Sequence, residues 1–127
     1  LRLFCSYAVG KNSLTFFNNK RYTNKVAREY DNLAAKLQSE IISWLKINLV
    51  YVIKTKPGPG TPVGCPDVVG LYHDKWVGIE VKASSTARFQ PGQRETLQRL
   101  KKGNEFIYIA TPETWPQIKA DLIANFL

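Results

Sequence analysis

The sequence predicts a mixed α/β domain, a small sheet covered by helices. Three observations predict it. Apolar residues recur at steps of three and four from Val26 to Trp44, the spacing of one helix face. Four short runs rich in β-favouring residues follow, bounded by turn signals. The order along the chain reads helix, three strands, helix, strand, helix, a mixed order that calls for helices packed on a sheet.

The elements can be justified in turn. Residues 1–22 include "RLFCSYAV" and "LTFFNN", whose aromatic and β-favouring content predicts one or two short strands. They form a basic N-terminal extension packed on a domain of residues 23–127. From Thr23 the helical pattern begins, with Thr23 or Asn24 as its cap. Val26, Tyr30, Leu33, Leu37, Ile41 and Trp44 make its apolar stripe, with Glu40 on the stripe's edge, directed towards the body of the protein. "LVYVIKT" (49–55) reads as a strand, and "KPGPGTPVG" (56–64), with three prolines and three glycines, as a loop. "DVVGLYH" and "WVGIEVK" read as two strands of a hairpin turning at His73-Asp74-Lys75. "SSTARFQ" is an exposed connection. Pro91 suits the first turn of a helix that runs to about Lys102 and can end at Gly103. "EFIYIAT" is a further strand. The closing helix lies in "PETWPQIKADLIANFL", with Pro116 confining its regular part to the residues after it.

The totals narrow the function. The 127 residues suit one domain, and 44% hydrophobic with 22% charged residues is the composition of a soluble globular chain. No apolar run approaches the roughly 18–20 residues of a membrane span. "LRLFCSYAVG" lacks the long apolar region and cleavage site of a signal peptide, so an intracellular location is expected. Cys5 and Cys65 match no zinc spacing; one disulfide can form, but two reduced thiols are favoured. His73 is the single histidine, which leaves no histidine-rich metal site and makes it the sole base for Ser–His or Cys–His chemistry. A net charge of +8 points to an acidic partner, most often nucleic acid, against the plainer reading of a solubilising surface.

The chemistry concentrates in "GCPDVVGLYHDKWVGIEVK" (64–82). Alternation puts Glu80 and Lys82 on one face of a strand. With the turn centred on His73 and Asp74, Asp67 lies opposite Glu80; a shift by one residue puts it opposite Lys82. Two adjacent carboxylates repel, and each is costly to desolvate. A divalent cation removes both penalties; hard oxygen ligands suit Mg²⁺, with Mn²⁺ as a substitute. Such an ion makes a coordinated water a nucleophile near neutral pH, and a neighbouring lysine can hold developing negative charge. The competing reading is a structural ion pair of Lys82 with Glu80 or Asp67.

Pro66-Asp67, an apolar strand and then Glu80-Val81-Lys82 resemble the motifs of the PD-(D/E)xK nuclease superfamily. "FQPGQRETLQRLKKGNEFIYIA" downstream resembles its VRR-Nuc branch, in which a glutamine opens the helix after the catalytic lysine. The similarity covers roughly Glu40 to Thr111. It implies a restriction-endonuclease-like fold, a small mixed sheet flanked by helices. It implies that Asp67, Glu80 and the Val81 carbonyl bind Mg²⁺ with support from Glu40, that Lys82 is the catalytic lysine, and that Gln93 orders the water or the scissile phosphate. Glu29 and Gln90 are the weaker rivals of Glu40 and Gln93. The activity implied is a metal-dependent DNA endonuclease acting on branched, flap or junction DNA, often as a homodimer. The alternatives are a sequence-specific homing or restriction-type enzyme and a non-catalytic nucleic-acid-binding module. Lys54, Lys56, Arg88, Arg94, Arg99, Lys101 and Lys102 are the expected DNA contacts, and the extension is a DNA-contacting segment or a dimer arm. Trp44 is expected in the core and His73 at the hairpin tip, away from the chemistry.

Overall fold

A computed structural model describes residues 13–127 of the chain. Helix α1 (Ser13–Ile47) leads into strand β1 (Tyr51–Lys54), and β2 (Val68–Tyr72) and β3 (Lys75–Val81) follow the Gly/Pro loop. Then come α2 (Gln93–Gly103), β4 (Ile107–Ala110) and α3 (Trp115–Asp121), which passes into a π-helical turn, Leu122–Phe126. The four strands form one sheet in the order β1-β2-β3-β4. β1, β2 and β3 pair antiparallel, and β3 and β4 pair parallel. The expected mixed α/β order is present.

The N-terminal boundary differs from the sequence expectation. "LTFFNN" is not a strand but lies inside α1, as do Thr23 and Asn24, expected as caps. No glycine or proline interrupts Ser13–Ile47, so nothing stops the helix once it has formed. Aromatic β-propensity needs a sheet surface to pack on, and a continuous helix does not supply one. The helix also runs through the boundary expected at residues 22/23. "RLFCSYAV" lies outside the described residues. Of the expected stripe, Leu37 and Ile41 are buried, Val26, Tyr30 and Trp44 are half-buried and Leu33 is exposed; Leu45, outside the expected stripe, is buried as well. At the other end, Asn48 and Leu49 close the helix, with Leu49 at a positive φ of 64°.

Register assigns the sheet two faces. Val68, Val77, Ile79 and Val81 face one way and join Leu37, Ile41 and Leu45 of α1 with Trp115, Ile118, Leu122 and Phe126 in a single apolar core. Burying each such side chain stabilises the fold by about 1.5–3 kcal/mol. Trp44 packs edge-on against Trp115, as a core residue should. The other face carries Gly78 and Glu80 of β3, with Ile107 and Ile109 opposite them on β4. Helix α2 lies over this side through its buried Leu97. At the start of α3, the Thr114 hydroxyl accepts from the Thr111 backbone N–H, and Pro116 occupies the first turn, where no N–H is required.

Candidate active site

The hairpin decides the geometry. Tyr72 pairs with Lys75, so the turn holds two residues, His73 and Asp74. His73 takes a φ of 53°, the left-handed conformation that so short a connection requires. Val68 pairs with Ile79. The next residues outward, Asp67 and Glu80, therefore meet across the strands. Asp67 Oδ2 accepts a hydrogen bond from the Val81 backbone N–H at 2.9 Å, which ties this carboxylate to the strand that carries the other. Thr55 holds Asp67 from the opposite side: its backbone N–H donates to the Asp67 carbonyl at 3.0 Å, and its hydroxyl donates to the Pro66 carbonyl at 2.6 Å.

Glu80 is buried, with 1% of its surface exposed. Its Oε1 accepts from Gln93 Nε2 at 2.8 Å and lies 3.3 Å from Lys82 Nζ. Its Oε2 is buried without a hydrogen-bond partner. Loss of solvation, then repulsion by Asp67, pushes the Glu80 carboxyl up to about 7 from an ordinary 4.5; Lys82 opposes the shift. Near neutral pH this group is thus close to the midpoint between its protonated and charged forms.

Lys82 is fixed by three acceptors: Glu80, Gln93 Oε1 at 3.0 Å and the Arg88 carbonyl at 3.2 Å. Its ammonium also lies 4.9 Å from the centre of the Phe89 ring, a cation–π distance. Gln93 opens α2, as the resemblance implies, while Pro91, expected in the first turn, lies in the turn before it; the Gln93 amide joins the two charged groups by donating to Glu80 and accepting from Lys82. Gln90 does not take its place; the Gln90 backbone N–H donates to Gln93 Oε1 at 2.7 Å and steadies it.

The Gly/Pro loop sets where α2 begins. Gly64 (φ 78°) lies so close to α2 that a Cβ there would stand 2.5 Å from the Gly92 carbonyl oxygen and 2.9 Å from the Gln93 Cα. Thr96 of α2 donates its hydroxyl to the Val63 carbonyl at 2.9 Å. Loop and helix are thereby fastened together, Gln93 on one side and Asp67 three residues after Gly64 on the other.

Glu40 stands differently. Its side chain does turn towards the body, where Oε1 accepts from Trp115 Nε1 at 3.0 Å. Among the described residues no group of three or more His, Cys, Asp or Glu side chains is arranged to hold a metal ion. The structure therefore does not gather Glu40 with Asp67 and Glu80: the indole N–H is its partner instead. The oxygen donors that do converge are Asp67 and Glu80, on neighbouring strands, with the Val81 backbone between them. Glu29 is exposed on α1. His73 is exposed at the hairpin tip, as expected. Burial raises the Cys65 thiol above its usual range, which leaves it a poor nucleophile; Cys5 lies outside the described residues.

The expected DNA contacts Lys54, Lys56, Arg88, Arg94, Arg99, Lys101 and Lys102 are all exposed. Arg94 lies 5.2 Å from the centre of the Phe89 ring. Sequence reasoning missed Thr55, Phe89 and Trp115. Phe89 had a signal, an aromatic residue among cations just before the helix; Thr55 and Trp115 act across 12 and 75 residues of chain, respectively, and had none.

No family model, no curated protein and no solved structure matches the chain. Among the described residues, no helix is long and apolar enough to cross a membrane.

Proposed function

We propose that the chain is a metal-dependent DNA endonuclease with a restriction-endonuclease-like fold, selective for branched, flap or junction DNA. The observation that carries this reading is the Glu80 carboxylate. It is buried, one oxygen has no hydrogen-bond partner, and it stands across from a second carboxylate. A buried polar atom left unpaired costs about 1–3 kcal/mol, which a chain selected for stability alone would avoid with an apolar residue.

The donor set fits a hard divalent cation, Mg²⁺ or Mn²⁺: Asp67 and Glu80 would hold it with the Val81 carbonyl. When bound, such an ion supplies an activated water and neutralises phosphate charge. The chain's own residues do the rest. Lys82, fixed by its three acceptors, is a cation that meets the charge building on the scissile phosphate. Gln93 keeps Lys82 and Glu80 at their separation and is a positioning residue. The exposed cations supply phosphate contacts, so binding should weaken steeply with salt.

A second reading has its own observation. The 3.3 Å contact of Lys82 with Glu80 is also what a structural ion pair would look like. One assay separates the two: cleavage of duplex, flap, four-way-junction and single-stranded DNA with Mg²⁺, Mn²⁺ or EDTA. The nuclease reading expects metal-dependent cutting, lost in Asp67→Ala and Glu80→Ala. Absence of cutting on every substrate, or undiminished cutting by both variants, favours the ion pair.

A further inference from the structure

Beside the site, a groove of about 720 Å³ runs along β4 between α2 and α3. In register, Ile109 of β4 is the direct partner of Glu80, and adjacent strands lie about 4.8 Å apart. The groove thus begins one strand away from the buried carboxylate. Phe89, which touches Lys82 Nζ, forms part of its wall.

Its chemistry is specific. Ile109 and Ile118 give it an apolar floor beside the Phe89 wall, and Ile109 remains 43% exposed although it is aliphatic and central in its strand. Arg94 and Lys101 supply cations from α2. Gln98 of α2 and Gln117 of α3 also line it and can both donate and accept hydrogen bonds. Glu113 is the single acid among the lining residues. An occupant that complements this surface has flat apolar bodies, polar edges and a repeating negative charge. Those are the features of a single nucleic-acid strand, which is bound by aromatic platforms along a cationic groove.

We propose that this groove holds an unpaired stretch of nucleic-acid strand next to the scissile phosphate, with Phe89 as the platform for a base and Arg94 and Lys101 as its phosphate contacts. The assignment rests on the nuclease reading for the identity of the neighbouring site, and it gives the preference for branched DNA a physical location.

The test is fluorescence anisotropy of a labelled short oligothymidylate with the full chain in EDTA, where cleavage cannot contribute. Phe89→Ala should weaken binding about tenfold, the loss of roughly one stacked base, and Phe89→Tyr should retain it. Arg94→Ala with Lys101→Ala should flatten the slope of log affinity against log salt by about 1.4, from two phosphate contacts at roughly 0.7 each. Ile109→Glu puts a negative charge on an exposed position of the floor and should also weaken binding. The groove is overturned if Phe89→Tyr binds as poorly as Phe89→Ala, if Ile109→Glu binds normally, or if the oligonucleotide does not bind at all. Oligonucleotide binding that depends on Phe89, in a protein that cuts no DNA, upholds the groove and removes the nuclease reading. Metal-dependent cutting with binding indifferent to Phe89 and Ile109 does the reverse.

Discussion

Strand β3 has two faces, and opposite means hold them. Val77, Ile79 and Val81 enter an apolar core, and each is at most 6% exposed. Glu80 and Lys82 alternate with these residues and turn towards α2. The first face needs only close packing. The second removes a carboxylate from water and provides hydrogen-bond partners for one of its oxygens alone. Residue parity along a single strand thus separates the apolar residues that pack the core from the charged residues on which the proposed activity rests. Any side chain could be tested for the side to which it belongs.

The largest expected effect is on the charged face, where the proposed activity would be lost. Glu80→Gln keeps shape and removes the charge. Cleavage should fall at least about 10³-fold, the scale on which a lost electrostatic contact to the transition state is felt. The thermal midpoint in EDTA at pH 8 should stay level or rise, because a neutral amide still accepts from Gln93 and Lys82 and replaces a buried carboxylate whose second oxygen has no partner. Ile79→Ala should behave in the opposite sense. Chemical denaturation should report a loss of about 2–5 kcal/mol from the cavity, while cleavage per folded molecule is retained. If Glu80→Gln unfolds the chain, or Ile79→Ala inactivates folded protein, the separation of the two faces is wrong.

Much of this division could be read in the sequence. Alternation within "WVGIEVK" is enough to place Glu80 and Lys82 together, since a strand's period of two leaves no other choice. The four strands are legible in turn residues and local pattern, whereas local pattern put Pro91 in the first turn of α2 and only the family resemblance put Gln93 at its opening. Two things escape for physical reasons. The start of α1 depends on whether a partner sheet exists for residues 14–19, which local propensity does not reveal. The fate of Glu40 depends on Trp115, 75 residues away, and its hydrogen bond is fixed only by tertiary packing. The facing of Asp67 and Glu80 hangs on one turn residue, and the positive φ of His73 resolves it.

A sharper test concerns how the charged face is kept in place. Gly64→Ala forces a side chain into the left-handed region and against the Gly92 carbonyl, neither of which can yield cheaply. Stability should fall by about 2 kcal/mol or somewhat more. Because the displaced element is the start of α2, cleavage should suffer beyond the loss of folded protein, through Gln93. A variant with normal cleavage per folded molecule would show that the loop serves folding alone.

The pH dependence is the most diagnostic effect, because it reads Glu80 without any substrate. Below pH 4.5 its carboxyl is protonated in folded and unfolded chains alike. Between 4.5 and about 7 the unfolded chain has released the proton and the folded chain keeps it. The folded state then binds more protons, so stability falls as pH rises through this window, and above about 7 the loss is complete. Denaturation in EDTA should show a decline of up to about 3 kcal/mol across that range, absent in Glu80→Gln. Mg²⁺ should restore stability above pH 7 in the parent and not in the variant, since a cation that binds only the folded state stabilises it by mass action. Restoration in both would place the ion elsewhere, and the unpaired oxygen of Glu80 would then need another explanation.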